Sequence, residues 1–264
     1  MVIVRCCIMD DMNIVVDGIM TEYVAEGRGK LVLFLHGWGS NTGSFRGLYD
    51  ELKKKYRVIG LNFPGFGGTG EPDAVWDLDR YIEFTAKFIE KLKLKNVYAI
   101  VGHSFGGRVM LKGCATDKIE SEKLIFLDTA GIKPKRTAKL KIYKSMAKVG
   151  RVVSVLPMIG GYSKLLKKRL YKSAGTTDYV NASDMMREIF KKVIDEDLKK
   201  YIAEIKQSSL VVWGADDRET PVSDAYEFKN IKDSRVHILN GAGHYVFLDK
   251  PEKTLELMKN FLKK

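Results

Sequence analysis

The strongest chemical signal in the chain is Gly102-His103-Ser104-Phe105-Gly106, followed by Gly107. It comes directly after the apolar run Val97–Val101 and before the helical pattern Arg108–Ala115. Glycines two residues to either side of a serine allow a strand-to-helix turn too sharp for residues that carry a Cβ atom. Such a turn thrusts the Ser104 hydroxyl out of a sheet's carboxyl edge, where it can serve as a nucleophile. Gly107 then lets the helix pack closely. A glycine-rich phosphate-binding turn is the competing reading of these residues.

A nucleophilic serine needs a base, and the chain has four histidines. His103 lies within the turn, and its side chain is expected to point away from the serine. His36 opens a glycine loop, and His237 sits in a strand-like run as a packed or edge residue. His244, in Gly241-Ala242-Gly243-His244-Tyr245, falls between the last strand pattern and the last helix pattern, in reach of Ser104. Neutral imidazole near pH 7 suits proton abstraction and return. The base in turn needs a carboxylate to fix its tautomer and stabilise the imidazolium. Asp217, three residues past Gly214, is the first choice; Asp216 and Asp128, the latter at the end of Leu124–Leu127, are alternatives.

A tetrahedral oxyanion calls for two preorganised N–H donors. Phe105, next after the serine, supplies one, and Trp38 in His36-Gly37-Trp38-Gly39 supplies the other. Each such donor is worth roughly 3–4 kcal/mol to the transition state. His36, Gly37, Trp38, Phe105 and Tyr245 are the candidate pocket residues.

Alternating strands and helices are needed to hold these groups. Leu31–Leu35, Arg57–Leu61, Val97–Val101, Leu124–Leu127, Leu210–Trp213 and Val236–Leu239 read as strands, and near-continuous apolar runs suit a parallel sheet covered on both faces. Asp79–Leu94 carries an apolar stripe of helical period, and Pro251 starts a last helix with Leu255, Met258 and Leu262 on its apolar face. The expected fold is α/β, a mostly parallel, doubly wound sheet. Between about Gly131 and Gln207 the alternation stops. Lys135–Lys148, Ser163–Tyr171 and Ser183–Ile205 read as helices, so residues 131–207 are expected to form a helical cap inserted between two late strands of a core made by residues 1–130 and 208–264.

The net charge of +12 raises nucleic acid or an anionic membrane as partners. However, residues 131–207 hold 19 Lys or Arg against 7 Asp or Glu, which accounts for that whole excess, and no nucleic-acid motif accompanies it. A lysine-rich solvated surface is the simpler reading. The three cysteines, Cys6, Cys7 and Cys114, form neither a disulfide framework nor a zinc pattern, so no metal or cofactor is expected. No apolar run is long enough to span a bilayer, and Met1–Met9 lacks the pattern of a secretory signal. A reduced, cytoplasmic monomer or homodimer follows as the expectation.

These pieces, together with Asn62-Phe63-Pro64-Gly65-Phe66-Gly67, resemble the α/β-hydrolase superfamily, most closely its small capped esterases, prolyl-iminopeptidase-like enzymes and carbon–carbon-bond hydrolases. The motifs run in order from residue 36 to residue 244, and Ser104, Asp217, His244 is the chain order that fold uses. The resemblance implies that the helical insertion is the family's lid. It sets apart relatives with an aspartate or cysteine nucleophile, since Ser104 stands there. Two positions depart from the family pattern: Asn62 replaces the usual Asp of Asp-x-Pro-Gly-x-Gly, and Asp249 stands where many relatives have Glu. Both are expected to be structural.

The expected activity is hydrolysis of a small carboxylic ester through an acyl-enzyme. A carbon–carbon-bond hydrolase, with Arg108 or a lid arginine meeting a carboxylated substrate, and an acyltransferase would use the same triad. A catalytically silent binding protein of this fold is the alternative of another class.

Overall fold

A computed structural model of the chain describes residues 11–133 and 182–263. The strands are β1 (Asp11–Val16), β2 (Ile19–Glu26), β3 (Leu31–Leu35), β4 (Arg57–Leu61), β5 (Val97–His103), β6 (Lys123–Leu127), β7 (Ser208–Gly214) and β8 (Ser234–Leu239). They form one 8-stranded sheet in the order β1-β2-β4-β3-β5-β6-β7-β8. From β4 to β8 all neighbours are parallel, and only the β1–β2 and β2–β4 pairs are antiparallel, so β2 alone runs against the rest. The six strands read from the sequence are all present, β3 and β4 with the expected ends.

The helices are α1 (Arg46–Leu52), α2 (Leu78–Lys91), α3 (Phe105–Ala115), α4 (Asp184–Ile194), α5 (Lys199–Ile202), α6 (Val222–Glu227), α7 (Val246–Asp249) and α8 (Pro251–Leu262). Period-2 alternation explains how the sheet is covered on both faces. On β3, Leu31, Leu33 and Leu35 join a core with α2, α3 and α6, whereas Val32 and Phe34 join another with α1, α7 and α8. All five residues of β3 are buried, as a central parallel strand requires.

The β1–β2 hairpin was not read from the sequence. Asp17 and Gly18 join its strands with φ of 51° and 81°, the left-handed pair that a two-residue hairpin turn demands. Val15-Val16-Asp17-Gly18-Ile19 was the available signal.

The chain between β6 and β7 leaves and re-enters the sheet at adjacent parallel strands. Its two described ends are tied together. Leu198 N–H donates to Gly131 O at 2.8 Å, and Lys133 Nζ donates to Asp195 Oδ1 at 2.7 Å. The sequence reading of one helix over Ser183–Ile205 is corrected to two, α4 and α5. The break follows from local hydrogen bonding: Asp195 caps the end of α4, and Asp197 Oδ1 accepts Lys199 N–H at 3.0 Å, where α5 begins. The helical readings Lys135–Lys148 and Ser163–Tyr171 lie outside the described residues, as do Met1–Met9, Cys6 and Cys7.

Candidate active site

Ser104 joins β5 to α3 with φ 47° and ψ −110°, a conformation that non-glycine residues rarely adopt. Its surroundings enforce it. Ser104 N–H donates to Leu127 O at 3.2 Å, and Ser104 O accepts Ala130 N–H at 3.2 Å. A Cβ on Gly106 would stand 2.0 Å from Leu35 O, and one on Gly102 would stand 2.8 Å from Gly107 Cα. The glycines are thus fixed by close backbone approach, which keeps the serine at the sheet's carboxyl edge.

Ser104 Oγ lies 3.0 Å from His244 Nε2, and His244 Nδ1 lies 2.8 Å from Asp217 Oδ2. His244 is buried and lies in the turn between β8 and α7, while Asp217 is buried in the loop after β7. Asp217 Oδ1 accepts the N–H groups of Glu219 and Thr220 at 2.8 and 2.9 Å, and Oδ2 accepts Thr220 Oγ1–H at 2.5 Å. Burial works against the Asp217 charge, but hydrogen bonds and charge from His244, with Thr220, hold its carboxyl below the usual range. It is therefore an anion, and the imidazole Nδ1–H donates to it. Burial likewise opposes a charge on His244, yet the Asp217 hydrogen bond and charge, with Glu219 and Asp128 adding, lift its pKa above the ordinary histidine value. The carboxylate thus favours the protonated form of the imidazole it touches.

The alternative acids fall elsewhere. Asp216 is exposed, and its N–H donates to Ala242 O. Asp128 is fully buried, and its two carboxylate oxygens accept Gly214 N–H and Val246 N–H, each at 2.8 Å. Burial pushes its carboxyl up to about 8, with those two N–H groups pulling the other way.

His36 is buried among aromatic rings. Phe63 N–H donates to its Nε2 at 3.0 Å, so the proton sits on Nδ1 and is donated to Gly37 O at 2.7 Å. Burial lowers its pKa to about 4, which keeps it neutral. His36 therefore braces the loop that carries Trp38. Gly37 is packed so closely that a Cβ there would lie 3.3 Å from Ser104 Cβ. Neither the Trp38 nor the Phe105 N–H donates to a backbone carbonyl among the described residues. The Trp38 ring meets Phe66, Phe105 and Phe190 at centroid distances of 4.9, 5.4 and 5.1 Å, so α4 closes an aromatic wall beside the serine. Tyr245 packs on His103 at 4.8 Å.

His103 is fully buried, and its Nε2–H donates to His244 O at 2.8 Å. Its pKa falls to about 3 through burial, with the neighbouring His244 adding to the fall. His237 is a half-buried residue of the edge strand β8. Arg108 differs from expectation. Its guanidinium Nη2 donates to Val193 O at 2.6 Å and Glu196 O at 2.5 Å, which holds the end of α4 and turns that group away from a substrate role. Thr220 and Glu219 were missed in the sequence. An aspartate that accepts N–H groups two and three residues ahead is a local turn device, and Asp217-Arg218-Glu219-Thr220 is compatible with it. No group of metal-ligating residues occurs among the described residues, and no described helix is long and apolar enough to cross a membrane.

The chain is similar to several characterised proteins. One is the 2-hydroxy-6-oxo-6-(2'-aminophenyl)hexa-2,4-dienoic acid hydrolase of Metapseudomonas resinovorans, 27% identical over 266 residues that cover 93% of this chain and 88% of that one. A membrane phospholipase A superposes with TM-score 0.77 at 22% identity, covering 97% of this chain and 86% of its own. An esterase from Exiguobacterium antarcticum superposes with TM-score 0.72 at 23% identity, covering 96% and 100%. The family model of the α/β hydrolase fold matches residues 30–251, so sequence, sheet order and site geometry converge, and the chain belongs to the α/β hydrolase fold family as one of its hydrolytic enzymes.

Proposed function

We propose that the chain is a serine hydrolase in which Ser104 is the nucleophile, His244 the general base and acid, and Asp217 the carboxylate that orients it. The observation that carries this reading is the relay from Ser104 Oγ to His244 Nε2 to Asp217 Oδ2, at 3.0 and 2.8 Å. The imidazole takes the serine proton as Oγ attacks an acyl carbon, and Asp217 stabilises the imidazolium. The Trp38 and Phe105 N–H groups receive the developing oxyanion. The imidazolium returns its proton to the leaving group, and a water activated by His244 then hydrolyses the acyl-enzyme. Residues 131–207 act as a cap over the site, with Phe190 its described aromatic contact to Trp38.

A small, uncharged carboxylic ester is the substrate this arrangement suits best. The aromatic wall of Trp38, Phe66, Phe105 and Phe190 supports an apolar acyl group, and the Glu219 carboxylate 3.4 Å from His244 Nε2 disfavours an anionic one. Cleavage of a carbon–carbon bond is the second reading, favoured by the dienoic acid hydrolase relative. It would need a cation for the substrate carboxylate, and Arg108 is engaged with Val193 and Glu196.

A fluorophosphonate probe tests the reading. The wild type should label, Ser104→Ala should not, and His244→Ala should label at least about 10³-fold more slowly. Labelling that survives in Ser104→Ala would overturn the assignment. Turnover of short acyl esters against a dienoic acid then separates the two substrate readings.

A further inference from the structure

The turn that leaves β6 touches the backbone of all three loops that carry the proposed triad. Leu127 O accepts Ser104 N–H, and Ala130 N–H donates to Ser104 O, both at 3.2 Å. Between them sits Asp128, held at φ 42°. Its Oδ1 accepts Gly214 N–H, three residues before Asp217, and its Oδ2 accepts Val246 N–H, two residues after His244. We propose that Asp128 is a positioning residue whose single planar carboxylate clamps the Asp217 loop to the His244 loop and so sets the distance between acid and base. The assignment rests on the Ser104–His244–Asp217 reading above.

The chemistry follows from donors and acceptors. Each Asp128 oxygen meets an N–H at 2.8 Å, and an ionised carboxylate is acceptor-only, so both bonds are satisfied at once. Because the carboxylate is rigid, the two amides cannot drift apart without one losing its bond to Asp128 in a buried site. An asparagine has the same shape, but its NH2 group would face one of the two N–H groups, and that side of the clamp would open. Asp128 thus acts through other residues, since its carboxylate is spent on the two amides rather than on the imidazole.

The test is the rate of Ser104 labelling by a fluorophosphonate. It is measured as maximal rate and half-saturating concentration for the wild type, Asp128→Asn, Asp217→Asn and the double variant. Assays near pH 10, well above the value of about 8 to which burial raises the Asp128 carboxyl, keep it ionised. Asp128→Asn should lower the maximal rate on the order of 10²-fold with little change in half-saturation, the scale expected for a misplaced catalytic group. In the Asp217→Asn background the same change should cost no more than about twofold, because no acid remains to be positioned. Equal losses in both backgrounds, or an Asp128→Asn rate within about twofold of wild type, would overturn the clamp. Should that variant fail to fold, amide exchange on the wild type decides. Protected Gly214 and Val246 amides support the clamp, and either one exchanging like an open-loop amide overturns it. Loss of labelling in Ser104→Ala alongside an unaffected Asp128→Asn would sink the clamp alone, whereas labelling that persists in Ser104→Ala would sink the serine reading beneath it.

Discussion

Glu219 Oε2 stands 3.4 Å from His244 Nε2, the nitrogen that also faces Ser104 Oγ. A second carboxylate therefore favours the imidazolium from the Nε2 side, the side on which Ser104 Oγ lies. Under the proposed mechanism, activity requires neutral His244. A pKa raised above the ordinary 6.5 places the acid limb of kcat/KM above that pH. Glu219→Gln should move the limb down and raise activity on its acidic side. The Glu219 side chain is 54% exposed, so screening keeps the shift to no more than about 0.7 of a pH unit, and added salt should shrink it. A pH–rate profile for a neutral ester at two salt concentrations measures this; a limb that stays put at low salt would refute the coupling.

Asp217→Asn should reduce kcat by about 10⁴-fold, since an amide NH2 set against His244 Nδ1–H favours the wrong tautomer. KM for a neutral ester should change little. A loss below tenfold would mean that another carboxylate orients the imidazole.

Asn62 and Glu22 form a matched pair. Asn62 Oδ1 accepts Thr42 N–H at 2.7 Å while its Nδ2 donates to Glu22, whose Oε2 also accepts Gly68 N–H at 2.7 Å. Asn62 is 1% exposed, so restoring the family's usual aspartate would set two carboxylates against each other in a buried place. Asn62→Asp should cost about 1–3 kcal/mol in thermal unfolding, and adding Glu22→Gln should recover most of it. If the double variant is no more stable than Asn62→Asp alone, the pairing does not explain the departure.

Gly106→Ala tests the turn itself. The new methyl would meet Leu35 O at 2.0 Å, and neither backbone can yield without shifting the loop that holds Trp38. A loss of about 1–3 kcal/mol or more in denaturant unfolding is expected, together with slower fluorophosphonate labelling. Wild-type stability and rate would show that the turn tolerates a side chain.

Patterns of short range made much of this legible in the residues alone. Apolar runs such as Leu31–Leu35 and Arg57–Leu61 mark strands buried on both faces, because a parallel sheet covered twice leaves no polar side. Gly102 to Gly106 identifies the serine turn, because only glycine tolerates the backbone approach found there. The hairpin Asp11–Glu26 was equally local, yet its strands are partly exposed and carry no continuous apolar run, so only Asp17-Gly18 announced it.

What tertiary structure decided were the choices among residues of the same type. Asp128, Asp216 and Asp217 are alike as letters. Only the meeting of three loops sets Asp217 on the imidazole, Asp128 on two buried amides and Asp216 in solvent. Arg108, one helical turn beyond Ser104, could equally have faced a substrate, but its Nη2 group bonds carbonyls at the end of α4. Local sequence determines backbone conformation and burial through sterics and apolar periodicity. The partner of a buried polar group depends on which distant segments bring acceptors within about 3 Å, and that is settled only when the chain is folded.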